Sequence, residues 1–98
     1  MSLRHSEQTD ELFRAVLTLR SVEECYRFFE DLCTVKEVLA LSQRLAVAGK
    51  LDAGCSYHQT IDATGACSAT ISRVKACLDY GAGGYRMILD RIGAEEGV

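Results

Sequence analysis

Apolar residues recur along this chain at spacings of three and four, the period of helices that bury one side. Leu12, Phe13, Val16 and Leu17 share one face of a helix predicted over about 7–19. A second is predicted over 22–33, with Val22, Tyr26, Phe29 and Cys33 on its apolar side and Phe28 beside them. The longest spans 35–52 with Val38, Leu41, Leu45 and Ala48 in step, and Gly54 ends it. Ser21, Thr34 and Ser56 are each followed three residues later by Glu24, Glu37 and Gln59. That pattern predicts three capping boxes, in which hydroxyl and carboxylate or amide each satisfy an otherwise orphan backbone N–H. With no proline anywhere, the fold class is all-α.

Ser56 to Tyr80 reads as two short helices around a glycine turn, a helix-turn-helix. The first is predicted over 57–64 and stops at Gly65, because the left-handed conformation just past a helix end costs glycine little. The second starts near Ser68 and turns Ile71, Val74 and Leu78 inward. Its other face presents Ser68, Ala69, Ser72, Arg73, Lys75 and Ala76. Side chains this small let a helix enter a major groove roughly 12 Å wide, while the cations reach the phosphates at its edges. On the solvent side of the first motif helix, His58 is a further candidate phosphate contact, though a solvated histidine is the simpler reading. By spacing alone, an ordinary helical hairpin fits as well as a DNA-binding one. Beyond it, YGAGGY breaks the chain before a last helix over 85–92 carrying Ile88, Leu89 and Ile92; Tyr80 and Tyr85 are expected to pack on the core around the glycines.

At 98 residues, 48% hydrophobic and 26% charged, the chain fits one small domain over 1–98, marginal unless oligomerisation enlarges its core. The net charge of −3 argues against a binder that works by bulk attraction to nucleic acid. Its distribution is uneven: residues 44–91 carry six Lys/Arg against four Asp/Glu, whereas residues 1–43 carry five against eight. The motif half is the basic half. Five cysteines, odd in number and without a C-x-x-C pair, predict buried or half-buried free thiols in a reducing cytoplasm. Cys67 opens the second motif helix, where the helix dipole lowers a thiol pKa, but a small space-filling residue is the simpler reading. Neither a signal peptide nor a membrane span is legible, so a cytoplasmic protein is expected. No catalytic constellation, metal cluster or cofactor motif appears, and neither an enzyme nor a bound cofactor is expected.

LCTVKEVLALSQRLAVAGKLDAG, SYHQTIDATGACSATISRV and YGAGGY together resemble the YerC/YecD branch of the Trp repressor superfamily, over about residues 32–92. The resemblance implies about six helices and an intertwined homodimer built by the N-terminal helices, about 7–52. It also implies sequence-specific binding of double-stranded DNA in transcriptional control. Three departures stand out. Val35 replaces a usual proline after the threonine cap, a harmless change at a first helical position. Ile61, preceded by Thr60, stands where a small residue normally faces the second motif helix, and is expected to widen or rotate the pair. By resemblance, an effector pocket falls at Thr34, Arg44, Thr70 and Arg73, with Val74 where the tryptophan-binding relatives have glycine. A stiff β-branched side chain there is expected to exclude an indole, leaving the effector unknown and tryptophan co-repression disfavoured; Arg44 and Arg73 also read simply as phosphate contacts or surface charges. The two readings that remain are a dimeric DNA-binding regulator, a repressor, and a helical interaction module that no longer binds DNA. The exposed face of Ser68–Ala76 carries no acidic residue, which favours the first.

Overall fold

A computed structural model describes residues 3–96. Among them are six helices and no strand: α1 (Glu7–Val16), α2 (Val22–Leu32), α3 (Val35–Asp52), α4 (Tyr57–Thr64), α5 (Ser68–Tyr80) and α6 (Gly84–Glu96). The chain divides into two compact units, the first ending at Val38 and the second beginning at Leu39.

In the first unit each helix is started by a hydroxyl. Ser6 accepts a bond from the Thr9 amide at 3.1 Å and opens α1. This helix ends at Val16, earlier than its apolar pattern predicts. The Thr18 hydroxyl bonds back to the Ala15 carbonyl at 2.7 Å, and the Thr18 and Leu19 amides both reach carbonyls three residues back at 3.1 Å. These bonds tighten the chain into a turn before Leu19. Ser21 caps α2 through the Glu24 amide at 3.1 Å, yet the reciprocal half of the predicted box is displaced. The Glu24 carboxylate reaches one residue further and accepts from the Arg20 amide at 2.9 Å. Only at Thr34 is the box complete in this unit: the Glu37 amide donates to the Thr34 hydroxyl at 3.1 Å and the Thr34 amide to the Glu37 carboxylate at 2.8 Å. The backbone bond from Thr34 holds the Glu37 carboxyl below its ordinary pKa.

Phe28 and Phe29 meet edge to face with ring centroids 5.6 Å apart, a favoured aromatic geometry. Even so, α1 and α2 contain no buried residue. Phe13 is 48% exposed and Tyr26 65%, on helices whose polar and apolar residues are sharply segregated. Amphipathic faces of this kind are stable in water only when something covers them.

Unit two has a closed core of Val47, Ala48, Ala66, Ile71 and Val74, with Leu51, Ile61, Leu78, Tyr85 and Leu89 packed around it. On α3 the buried residues are Val47 and Ala48, whereas Leu41 and Leu45 of the predicted stripe are exposed. This helix is apolar on more than one side, and its own chain covers the side of Val47, Ala48 and Leu51. Tyr85 joins the core as expected, but Tyr80 is 90% exposed. It lies two residues past core-facing Leu78, about 200° around the helix at 100° per residue, and so on the far side. The last helix continues beyond its predicted end at Ile92 to Glu96, since Gly93 is tolerated inside it.

Candidate nucleic-acid interface

The residues that shape the α4–α5 pair are mostly small hydroxyl and backbone groups. At the start of α4, the Gln59 amide donates to the Ser56 hydroxyl at 3.1 Å and the Ser56 amide to the Gln59 side chain at 2.8 Å, completing the box. Thr60 is wholly buried, its hydroxyl satisfied by the Ser56 carbonyl at 2.8 Å. Threonine thus supplies the small side chain at the close approach to α5, and Ile61 is only half-buried at the edge of the core. Gly65 ends α4 at φ 72°, its amide bonded to the Ile61 carbonyl at 2.8 Å. The Thr64 hydroxyl donates to the Thr60 carbonyl at 2.7 Å and accepts from the Ala66 amide at 3.2 Å. From α3, Gln43 donates to the Thr64 carbonyl at 3.4 Å. With Ala66 buried beneath it, the turn holds α5 by its first residue.

Ile71 and Val74 anchor α5 from below. Ser68, Ala69, Ser72, Arg73, Lys75 and Ala76 are consequently all exposed on the remaining surface, as is His58 on α4. Ser68, Ala69 and Ser72 leave the N-terminal turns of α5 with a low profile. Two of these side chains are already engaged within their own helix. Lys75 Nζ lies 3.4 Å from Asp79 Oδ1, and His58 Nε2 lies 3.7 Å from Asp62 Oδ2. Arg73 has no ion-pair partner among the described residues. Lysine followed four residues later by aspartate was a legible spacing, but it was Asp79's effect on Lys75 that the pattern of the exposed face did not reveal.

Cys67 is the N-cap of α5 and is exposed. Its Sγ lies 3.4 Å from the Thr70 hydroxyl. That side-chain bond, then the Thr70 backbone amide, hold the thiol below its ordinary pKa. All five cysteines are free; Cys25, Cys33 and Cys55 are half-buried, but Cys67 and Cys77 are exposed, against the expectation of buried thiols. Cys67 precedes the first turn of α5, and Cys77 lies beside Val74 on the open wall of a cavity.

Arg44, Thr70 and Arg73 come together. With Val74, Cys77 and Tyr85 they line a cavity of about 260 Å³ within the second unit. Thr34, the fourth expected pocket residue, belongs to the first unit and caps α3. Val74 is almost completely buried in the core, so it forms part of the cavity wall and space remains beside it. Burial raises the Tyr85 phenol above its ordinary pKa. Cys77 and Tyr85 were not identified as pocket residues from sequence, because only the packing of α6 on α5 brings them beside Arg44.

Two short helices crossing at a glycine turn, the second fixed by its apolar side and open on the other, define a helix-turn-helix protein. The chain belongs to the Trp repressor protein family, whose profile matches residues 7–93. It is 54% identical over 86 residues to the uncharacterized protein YerC of Bacillus subtilis (strain 168), covering 88% of this chain and 83% of YerC. Among solved structures it is similar to a Staphylococcus aureus protein described provisionally as a Trp repressor. The TM-score is 0.88 at 52% identity, with 90% of this chain and 88% of the other covered. A TrpR-like protein from Eubacterium eligens ATCC 27750 matches with a TM-score of 0.88 at 44% identity, covering 90% of this chain and 91% of its own. Among the described residues no helix is long and apolar enough to cross a membrane.

Proposed function

We propose that this chain is a sequence-specific transcriptional repressor that binds double-stranded DNA as a homodimer, in the cytoplasm. The observation that carries the reading is the exposed side of α5. Ser68, Ala69 and Ser72 are exposed and small enough to approach base edges, and Arg73, Lys75 and His58, exposed as well, are the side chains proposed to meet phosphate oxygens. Family membership supports the DNA-binding reading, and the uncovered apolar faces of α1 and α2 support assembly through the N-terminal helices, with both units contributing to one domain of the dimer. A two-fold dimer would present two α5 helices to successive major grooves, about 34 Å apart along the duplex.

Selection from a random duplex pool, followed by fluorescence anisotropy, tests the proposal. The expected result is enrichment of a palindromic site whose affinity falls with salt. Failure to enrich any sequence, with no salt-dependent binding, would instead favour a helical interaction module, a reading consistent with the sequence pI of about 5.3.

A further inference from the structure

Tyr80 is the one large side chain of α5 that stands almost wholly in solvent. It is 90% exposed, and among the described residues its phenol enters no hydrogen bond or ring contact. Its backbone is nonetheless held. The Gly81 amide donates to the Cys77 carbonyl at 2.9 Å, and at Gly81 the chain passes so close to that carbonyl that a Cβ would overlap it. Tyr80 therefore projects from a fixed helix end. At about 100° per residue it stands about 20° from both Ala69 and Arg73 around the helix and about 40° from Ala76. All of these are exposed, on the side turned away from buried Ile71 and Val74. The outward line of α5 is thus low over Ala69, Ser72 and Ala76 and steps up at Tyr80.

The position of that step matches the dimensions of a duplex. A major groove is roughly 12 Å wide and about 8.5 Å deep, and at about 1.5 Å per residue Tyr80 lies about 16 Å behind Ala69 along the axis. A helix that enters with its N-terminal turns leading keeps its small residues within the groove, and a side chain this far back stands at the rim, where the phosphates run. Asp79, its neighbour in sequence, points about 100° away around the helix and lies 3.4 Å from Lys75 Nζ. A phenol suits the rim, since its O–H donates without carrying charge and its two side-chain torsions cost little to order. We infer that Tyr80 marks the edge of the α5 footprint on DNA, its phenol donating a hydrogen bond to a backbone phosphate oxygen. This contact rests on the DNA-binding reading above and extends it to a residue outside the cationic set.

Tyr80→Phe removes only the hydroxyl, at an exposed position, and circular dichroism should show an unchanged fold. On the selected duplex the variant is expected to bind about fivefold more weakly, the scale of one hydrogen bond to a charged acceptor. Its salt slope should equal that of the unmodified protein, because a neutral donor displaces no counterion, whereas Lys75→Ala should flatten the slope. Methylphosphonate, placed at one duplex position at a time, locates the contact. At one phosphate in each half-site it should weaken the unmodified protein and leave Tyr80→Phe unaffected, since the two changes remove the same bond. If the unmodified protein binds its selected duplex and Tyr80→Phe binds equally well, the contact is wrong while the DNA-binding reading stands. Should Tyr80→Ala weaken binding where Tyr80→Phe does not, the ring makes the contact and the phosphate bond is overturned. A loss of self-association in either variant, measured by sedimentation without DNA, would place Tyr80 between copies of the chain and also overturn it. If no duplex is ever selected, the DNA-binding reading fails and this contact falls with it.

Discussion

Arg86 on α6 grips Asp52 at the end of α3 with both prongs of its guanidinium, Nη1 to Oδ1 at 2.6 Å and Nη2 to Oδ2 at 3.0 Å. Its Nε also donates to Asp90 Oδ1 at 3.0 Å. One side chain thus ties the C-terminal helix, which carries Tyr85, to the helix that supplies Val47 and Ala48 to the core.

This pair makes stability depend on acid. The Arg86 hydrogen bonds hold the Asp52 carboxyl below its ordinary value of 3.8. A carboxyl whose folded pKa is depressed contributes stability that is present above its unfolded pKa and lost as pH falls through the folded one. Arg86→Leu is therefore expected to lower Tm by a few degrees near neutral pH, and by progressively less as the pH drops below the ordinary aspartate range. Thermal melts of both proteins across pH 2 to about 7 check this. A difference that does not shrink in acid would mean that Arg86 acts through packing and not through charge.

Two glycines respond differently to alanine, for separate physical reasons. At Gly65, φ is 72° and a Cβ would meet nothing within 4 Å, so the penalty is only that of left-handed backbone, about 1 kcal/mol. At Gly81 an added Cβ would overlap the Cys77 backbone carbonyl. Relieving that overlap requires the end of α5 to move, at about 2 kcal/mol or more. Urea unfolding should rank Gly81→Ala below Gly65→Ala, and Gly65→Asn should recover part of the Gly65→Ala loss, because asparagine tolerates the left-handed region.

If α5 seats on DNA as proposed, the Lys75–Asp79 pair should tune how strongly it holds phosphate. Lys75→Ala should weaken binding to all duplexes and flatten the salt slope by about one. Asp79→Ala should do the reverse, freeing the ammonium and removing a negative charge beside it, so that affinity rises several-fold at low salt. Substitutions at Ala69 or Ser72 should instead change which sequence is preferred. Anisotropy titrations over a salt series separate these effects; an Asp79→Ala protein that binds DNA no better would mean that Lys75 does not face the backbone.

The uncovered faces of the first unit predict assembly. Burying Phe13, Tyr26, Leu32 and their neighbours against a second copy should produce an obligate homodimer with an interface on the order of 2,000 Å² or more. Sedimentation should show dimer at micromolar concentration, and Phe13→Glu should abolish it together with much of the helical signal. A stable, well-folded monomer of the unmodified chain would remove this expectation.

The helices themselves were legible because local chemistry decides them. Ser56 and Gln59, Thr34 and Glu37, and Gly65 act within four residues of sequence, and each does in the structure what its spacing predicts. The stripe of Ile71, Val74 and Leu78 also faces inward, since a 13-residue helix with one apolar side has one side to bury. Where two local bonds compete, spacing was not enough: Glu24 chose the Arg20 amide over its cap, and Thr18 ended α1 early. Sequence also identified Arg44, Thr70 and Arg73 as residues that belong together, through resemblance to a family.

Tertiary structure alone decided which side of a helix is covered and what stands across a cavity. Apolar content on α3 points to two sides, and only the packing of α4, α5 and α6 selects Val47 and Ala48 over Leu41 and Leu45. The same packing carries Cys77 and Tyr85 to the arginines, buries Thr60 where a small side chain must fit, and brings Arg86 to Asp52 across 34 residues. Periodicity records only that a residue has an apolar neighbour somewhere; the identity of that neighbour depends on how distant segments meet, and no spacing within one helix encodes it.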